Sequence, residues 1–167
     1  MQALGIATAI PPFVVGGAQE RARRAGIENV PAIVGFGVAA TACSPTEFVT
    51  FAALTDRIRS GLTETVGGLT FYGHPTERAG NIVCLGVEGV EAEPILLALD
   101  QQGIAIHSGS ACSSESLEPS PVLAAMGANA DQSLRISVGW TTTTADVDRL
   151  LDVFPGIIER MRGLRTP

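Results

Sequence analysis

Cys112 stands in the run His107-Ser108-Gly109-Ser110-Ala111-Cys112-Ser113-Ser114. A thiol attacks as its thiolate, and small neighbours let a substrate come close. The flanking residues are serine, glycine and alanine, none of which builds a core. The segment is about ten residues long, which is long for a connection in a compact domain and favours function. The competing reading is a small buried hydrophobe, the commoner fate of a free cysteine. Cys43, in the run VAATAC at a helix end, and Cys84, within the apolar run NIVCLGV, read as packing residues.

Arg135 is the second residue with chemistry to offer. In Ser133-Leu134-Arg135-Ile136-Ser137-Val138-Gly139, strand alternation puts Leu134, Ile136 and Val138 on one face and Arg135 with Ser137 on the other. A guanidinium there can present a bidentate fork to a carboxylate. The pattern alone leaves this reading open beside that of an ordinary exposed strand arginine. A third cluster, Gly16-Gly17-Ala18-Gln19-Glu20-Arg21 followed by Arg23-Arg24-Ala25-Gly26-Ile27-Glu28-Asn29, has glycines and a basic run before a helix. Such a turn can approach an anion, and a solvated charged turn has the same composition. His74, in a Gly-His-Pro turn, reads as a surface loop residue. His107, at the end of a strand, reads as a hydrogen-bonded structural histidine that could also tune the thiol.

All eleven basic residues are arginine, and the 167 residues contain no lysine. The net charge of −6 argues against nucleic-acid and anionic-membrane partners, which need basic patches. Hydrophobic residues make up 46% and charged ones 17%, an apolar balance that points to surface meant for a partner. Three cysteines at unrelated spacings form neither a disulfide framework nor a metal-binding pair, so a reducing, cytoplasmic setting is expected. No run reaches the roughly eighteen unbroken apolar residues of a membrane span. The apolar start has no basic residue before Arg21 and is interrupted by Pro11-Pro12, against a signal peptide.

The elements that must position these residues follow from periodicity and punctuation. Ile6 to Val15 reads as a strand or extended edge, and Gly16-Gly17 as a turn. A helix is predicted from Asn29-Val30-Pro31 to Cys43. Ser44-Pro45-Thr46-Glu47 is a capping box opening a second helix, with Phe48, Phe51, Ala52, Thr55, Ile58 and Leu62 on one face. Strands are predicted at Leu69–Tyr72, Asn81–Val87, Ile104–His107 and Leu134–Val138. Asn81–Val87 is apolar on both faces and is expected to be covered on both. Helices are predicted at Pro94–Gln102, stopped by Gly103, and at Pro121–Met126, capped by Ser120 and ended by Gly127. The final helix is capped by Thr143 or Thr144, carries a stripe from Val147 to Met161, and contains Pro155, which should kink it. This order gives a small α/β sandwich with helices on one face. The expected division is residues 1–45, a remnant of another domain with a connecting helix, and 46–167, the domain carrying the cysteine loop.

The segments GGAQE, RRAGIEN, GIAIHSGSACSSESLEPSPVLAAMG and SLRISVGWTTTTADVD, in that order, resemble the C-terminal part of cysteine desulfurases. These are pyridoxal-phosphate enzymes of the aspartate-aminotransferase-like fold, and the likeness runs from Pro11 to the end. The longer loop is similar to that of the branch supplying sulfur for iron–sulfur clusters and tRNA thiolation. The resemblance implies Cys112 as nucleophile and persulfide carrier, and Arg135 as holder of the substrate carboxylate. It implies pyridoxal phosphate as cofactor, L-cysteine as sulfur donor and L-alanine as product. An iron–sulfur scaffold or a tRNA-thiolation protein would be the sulfur acceptor.

Two departures accompany it. The family anchors its cofactor on a lysine in a segment upstream of the resemblance, and this chain has none. The family also uses a threonine toward the cofactor phosphate where this chain has Ile27, whose side chain cannot donate a hydrogen bond. The expectation is therefore a chain inactive alone, binding no cofactor by itself, and working when another polypeptide supplies the cofactor domain. The rival expectations are a cofactor-free persulfide carrier and an inactive remnant. Self-association through exposed apolar surface is expected as well.

Overall fold

Val147, Leu150, Phe154, Ile157 and Ile158 recur at helical spacing and are all buried, so the last helix, α6 (Thr144–Gly163), shows how the core is organised. The structure is a computed structural model and describes residues 11–108 and 120–164. The chain divides into two units, Met1–Ser44 and Pro45–Pro167.

In the first unit Val14 bridges Arg24 in parallel fashion, and the Ala25 N–H donates to the Val14 carbonyl at 3.0 Å. Between them a single turn, α1 (Gln19–Ala22), holds Glu20, Arg21 and Ala22 at φ of 52°, 58° and 60°. α2 (Val30–Ala42) follows; the Asn29 side chain caps it by accepting from the Ala32 N–H at 3.1 Å, and Pro31 occupies its first turn. Its sequence, VPAIVGFGVAATA, contains no charge, and none of its residues is buried.

The second unit opens with α3 (Pro45–Thr65), then β1 (Leu69–Tyr72), β2 (Ile82–Val87), α4 (Ala92–Asp100), β3 (His107–Ser108), α5 (Pro121–Ala125), a 3-10 turn at Ala130–Gln132, β4 (Ser133–Ser137) and α6. The four strands form one sheet in the order β1-β2-β4-β3, and each neighbouring pair is antiparallel. α3 and α4 both pack on α6, and they lean on β2 and β3 respectively. Val83, Leu85, Leu134 and Ile136 point from the central strands into this helical layer and are essentially fully buried. Each such side chain contributes about 1.5–3 kcal/mol by leaving water.

Polar contacts fix the layer against the sheet. Thr55, fully buried on α3, donates to the Gly80 carbonyl at 2.8 Å and ties the helix to the loop entering β2. Arg162 on α6 donates to the Gly67 carbonyl at 2.8 Å and the Glu88 carbonyl at 3.1 Å, joining the start of β1 to the end of β2. Thr143 and Asp146 form a reciprocal capping box at the start of α6. The Ser120 hydroxyl accepts from the Leu123 N–H to cap α5. Gly103 follows α4 at φ +74°, a conformation that stops a helix without a Cβ clash.

Five expectations need correction. Among the described residues β2 is fully covered on one face only: Val83 and Leu85 face the helices, while on the other face Gly86 is buried, Cys84 is half-buried and Ile82 is exposed. The reason is that all three long helices of this unit lie on one side. The strand expected at Ile104–His107 is shorter and later, pairing only at His107 and Ser108, because it reaches β4 only there. Leu54 takes a core position in α3, and Phe48 is 55% exposed, stacked edge-on against Phe51. Cys43, read as a packing residue, is exposed just past the last turn of α2. α6 is continuous through Pro155. Among the described residues, no single helix is long and apolar enough to cross a membrane.

Candidate functional site

The sheet face away from the helices carries one row of chemically capable residues. Tyr72 on β1 is the register partner of Cys84 on β2, Cys84 of Arg135 on β4, and Arg135 of His107 on β3. Directly opposed residues of antiparallel strands share a face, with Cβ atoms about 4.5–5.5 Å apart. The row therefore runs Tyr72, Cys84, Arg135, His107 across all four strands. Its floor is low beside Tyr72, because Gly86 lies under the phenol: a Cβ at Gly86 would collide with the Tyr72 hydroxyl.

Arg135 is the centre of this row. Its side chain is half-buried, and its Nε is shielded from solvent with no hydrogen-bond partner among the described residues. Ion pairs among the described residues engage Arg57 with Asp148 and Arg78 with Asp56, not Arg135. Among the described residues it has no acidic partner, and a guanidinium so placed can present a two-pronged fork to an anion. The strand alternation read from the sequence is borne out, with Leu134, Ile136 and Val138 buried on the other face.

Cys84 does not neutralise that charge. Burial pushes its thiol above the ordinary range, and the Arg135 and Arg59 guanidiniums oppose the shift only in part. It faces Arg135 as a neutral S–H. Arg59, on α3, lies 4.8 Å over the Phe71 ring, and burial lowers its own pKa, with Arg78 adding to the effect.

His107 is exposed, and its Nδ1 lies 2.7 Å from the Ser108 carbonyl. His74 is a surface residue whose Nδ1 accepts from the Glu77 N–H at 2.8 Å, closing its turn. Cys112 lies outside the described residues; its segment is bounded by β3 on one side and Ser120 on the other. Sequence reasoning singled out Arg135 but not the row around it. The signal was available in principle, since Tyr72, Cys84, Arg135 and His107 all fall in predicted strands. Their mutual register was not, because pairing across strands is set by tertiary packing.

In the first unit, the turn before α2 presents an alkyl group to solvent at position 27. The Ile27 side chain is 88% exposed. The nearby Arg24 guanidinium is turned back onto the Ile27 carbonyl at 2.8 Å.

The model of the family described as Aminotransferase class-V matches residues 14–150. A cysteine desulfurase of Gluconacetobacter diazotrophicus is 46% identical over 159 residues, which cover 92% of this chain and 40% of that protein. The cysteine desulfurase IscS of Methanosarcina thermophila is 46% identical over 161 residues, covering 93% and 40%. Among solved structures, a NifS-like protein from Rickettsia africae superposes with a TM-score of 0.74 at 27% identity, covering 91% of this chain and 41% of that one. DndA from Streptomyces lividans superposes with a TM-score of 0.53 at 36% identity, covering 76% and 36%. The sequence given spans about 40% of the length of the curated relatives it matches. Its fold is thus part of the NifS-like, pyridoxal-phosphate-dependent architecture, and the chain belongs to the class-V aminotransferase family.

Proposed function

We propose that this chain contributes the sulfur-receiving and carboxylate-binding portion of a cysteine desulfurase. The net reaction converts L-cysteine and the Cys112 thiol into L-alanine and a Cys112 persulfide, with atoms balanced. Arg135 holds the substrate carboxylate, and Cys112 takes the sulfur. The observation that carries the reading is the Arg135 guanidinium, whose buried Nε has no hydrogen-bond partner among the described residues, in a chain 46% identical to a cysteine desulfurase over 159 residues.

Pyridoxal phosphate is the family's cofactor, and the residues present here do not fit it. There is no lysine to anchor it. The loop position toward its phosphate is an exposed isoleucine, beside an arginine engaged with its own loop. The cofactor domain is therefore assigned to polypeptide outside these residues, and 1–45 is read as the edge of that domain. The sulfur then passes to an acceptor such as an iron–sulfur scaffold or a tRNA-thiolation protein, in a cytoplasmic setting. The apolar surface of α2, with Phe36 77% exposed, also supports self-association of the isolated chain.

The test mixes this chain with the cofactor-bearing N-terminal portion of the Gluconacetobacter desulfurase and measures alanine released from L-cysteine. Alanine above the sum of the separate parts, abolished by Cys112→Ser, is the expected result. No gain on mixing counts against the reading. The lack of lysine favours one second reading, a cofactor-free persulfide carrier. In that case the chain alone takes up sulfur from a persulfide donor at Cys112.

A further inference from the structure

The Nδ1 of His107 lies 2.7 Å from the Ser108 backbone carbonyl. A carbonyl oxygen only accepts, so this short contact is made by a protonated Nδ1 that donates; the Ser108 hydroxyl, 3.5 Å from the same nitrogen, is the longer contact. The tautomer of a neutral imidazole is set by the bond its other nitrogen makes. Nε2 is therefore the unprotonated nitrogen, an acceptor with no partner among the described residues. His107 is also the register partner of Arg135. His107 and Arg135 are thus neighbours in the same row, their backbones one strand spacing, ~4.8 Å, apart. On the other side of Arg135 the neighbour is Cys84, held as a neutral thiol.

We infer that His107 is a positioning residue for a ligand held at Arg135, its Nε2 accepting a hydrogen bond from a donor on the ligand's side chain. The inference rests on the reading of Arg135 as a carboxylate fork. The chemical class follows from the spacing. A carboxylate seated on Arg135 leaves the α-amine close to the guanidinium, whereas a donor on the β-carbon reaches further along the row. The ligand is an amino acid with an S–H or O–H on that carbon. His107 thereby discriminates by side chain, and Arg135 by carboxylate.

The test uses the whole chain, reduced and labelled with 15N at histidine and arginine. Long-range proton–nitrogen spectra at pH 8 report which imidazole nitrogen carries hydrogen. His74 is an internal reference of opposite tautomer, because its Nδ1 accepts from the Glu77 N–H. His107 is expected to show a protonated Nδ1 and a bare Nε2. L-cysteine is then titrated against L-2-aminobutyrate, which has the same shape and no donor. Both are expected to move the Arg135 Nε signal, and only L-cysteine the His107 Nε2 signal. L-cysteine is expected to bind about two- to tenfold more tightly, the size of one net hydrogen bond. His107→Phe should remove that preference. A protonated Nε2 in the free chain overturns the inference without touching the reading of Arg135. So does a silent Nε2 while Arg135 responds. No response at Arg135 to either amino acid overturns both. The spectra of the unsubstituted chain decide the matter even if His107→Phe does not fold.

Discussion

Cys84 and Arg135 face one another across β2 and β4, a thiol opposite a guanidinium in one register row. Burial is the larger influence on the thiol and raises its pKa; the guanidinium lowers it and only partly compensates. Cys84 is thus a poor nucleophile beside a cation, and this sets it apart from the exposed Cys43.

Alkylation should follow that contrast. At pH 8, iodoacetamide is expected to modify Cys43 faster than Cys84, as read by mass spectrometry of timed digests. Arg135→Gln removes a charge that favours the thiolate and should slow Cys84 further. Faster labelling of Cys84 in that variant would mean that the thiol is governed by exposure alone.

The same group makes stability depend on alkali. A raised folded-state pKa means that the folded chain keeps a proton that the unfolded chain gives up. Its contribution is complete below the unfolded thiol pKa of about 8.5 and is lost as pH rises through the folded value. Denaturant midpoints should fall above that pH, and Cys84→Ser should flatten the fall. An unchanged slope in the serine variant would assign the loss to other groups.

Thr55 is the buried hydroxyl that joins α3 to the Gly80 carbonyl. Thr55→Val keeps the shape and leaves that carbonyl without its donor. A loss of about 1–3 kcal/mol in chemical denaturation is expected, against a smaller one for Thr55→Ser. Equal losses would point to packing as the cause.

Gly86 lies beneath the Tyr72 ring on the bare face. Gly86→Ala must displace the phenol, at a cost of about 1–3 kcal/mol for overpacking. Tyr72→Phe in the same background removes the hydroxyl that the new methyl meets first and should recover part of the loss. Full retention of stability in Gly86→Ala alone would show that the ring moves freely.

Much of this arrangement was legible in the sequence, and the exceptions have physical causes. The Ser120 and Thr143 caps announced two helices because side-chain capping is a local interaction. The alternation Leu134, Arg135, Ile136 gave the strand and its polar face for the same reason. β2 misled, because Cys84 and Gly86 count as apolar while, among the described residues, no helix packs on their face and Tyr72 lies over Gly86. β3 shrank to His107 and Ser108 because strand length is decided by what lies alongside. The row through Arg135 depends on three pairings between distant segments, and no local pattern encodes them.

The one-sided layering of this sheet has an evolutionary consequence. Residues that hold the protein together and the row through Arg135 occupy opposite surfaces of the same strands. Mutation can therefore explore new side chains at an exposed position such as 107 without loosening the interior, while the scaffold stays still.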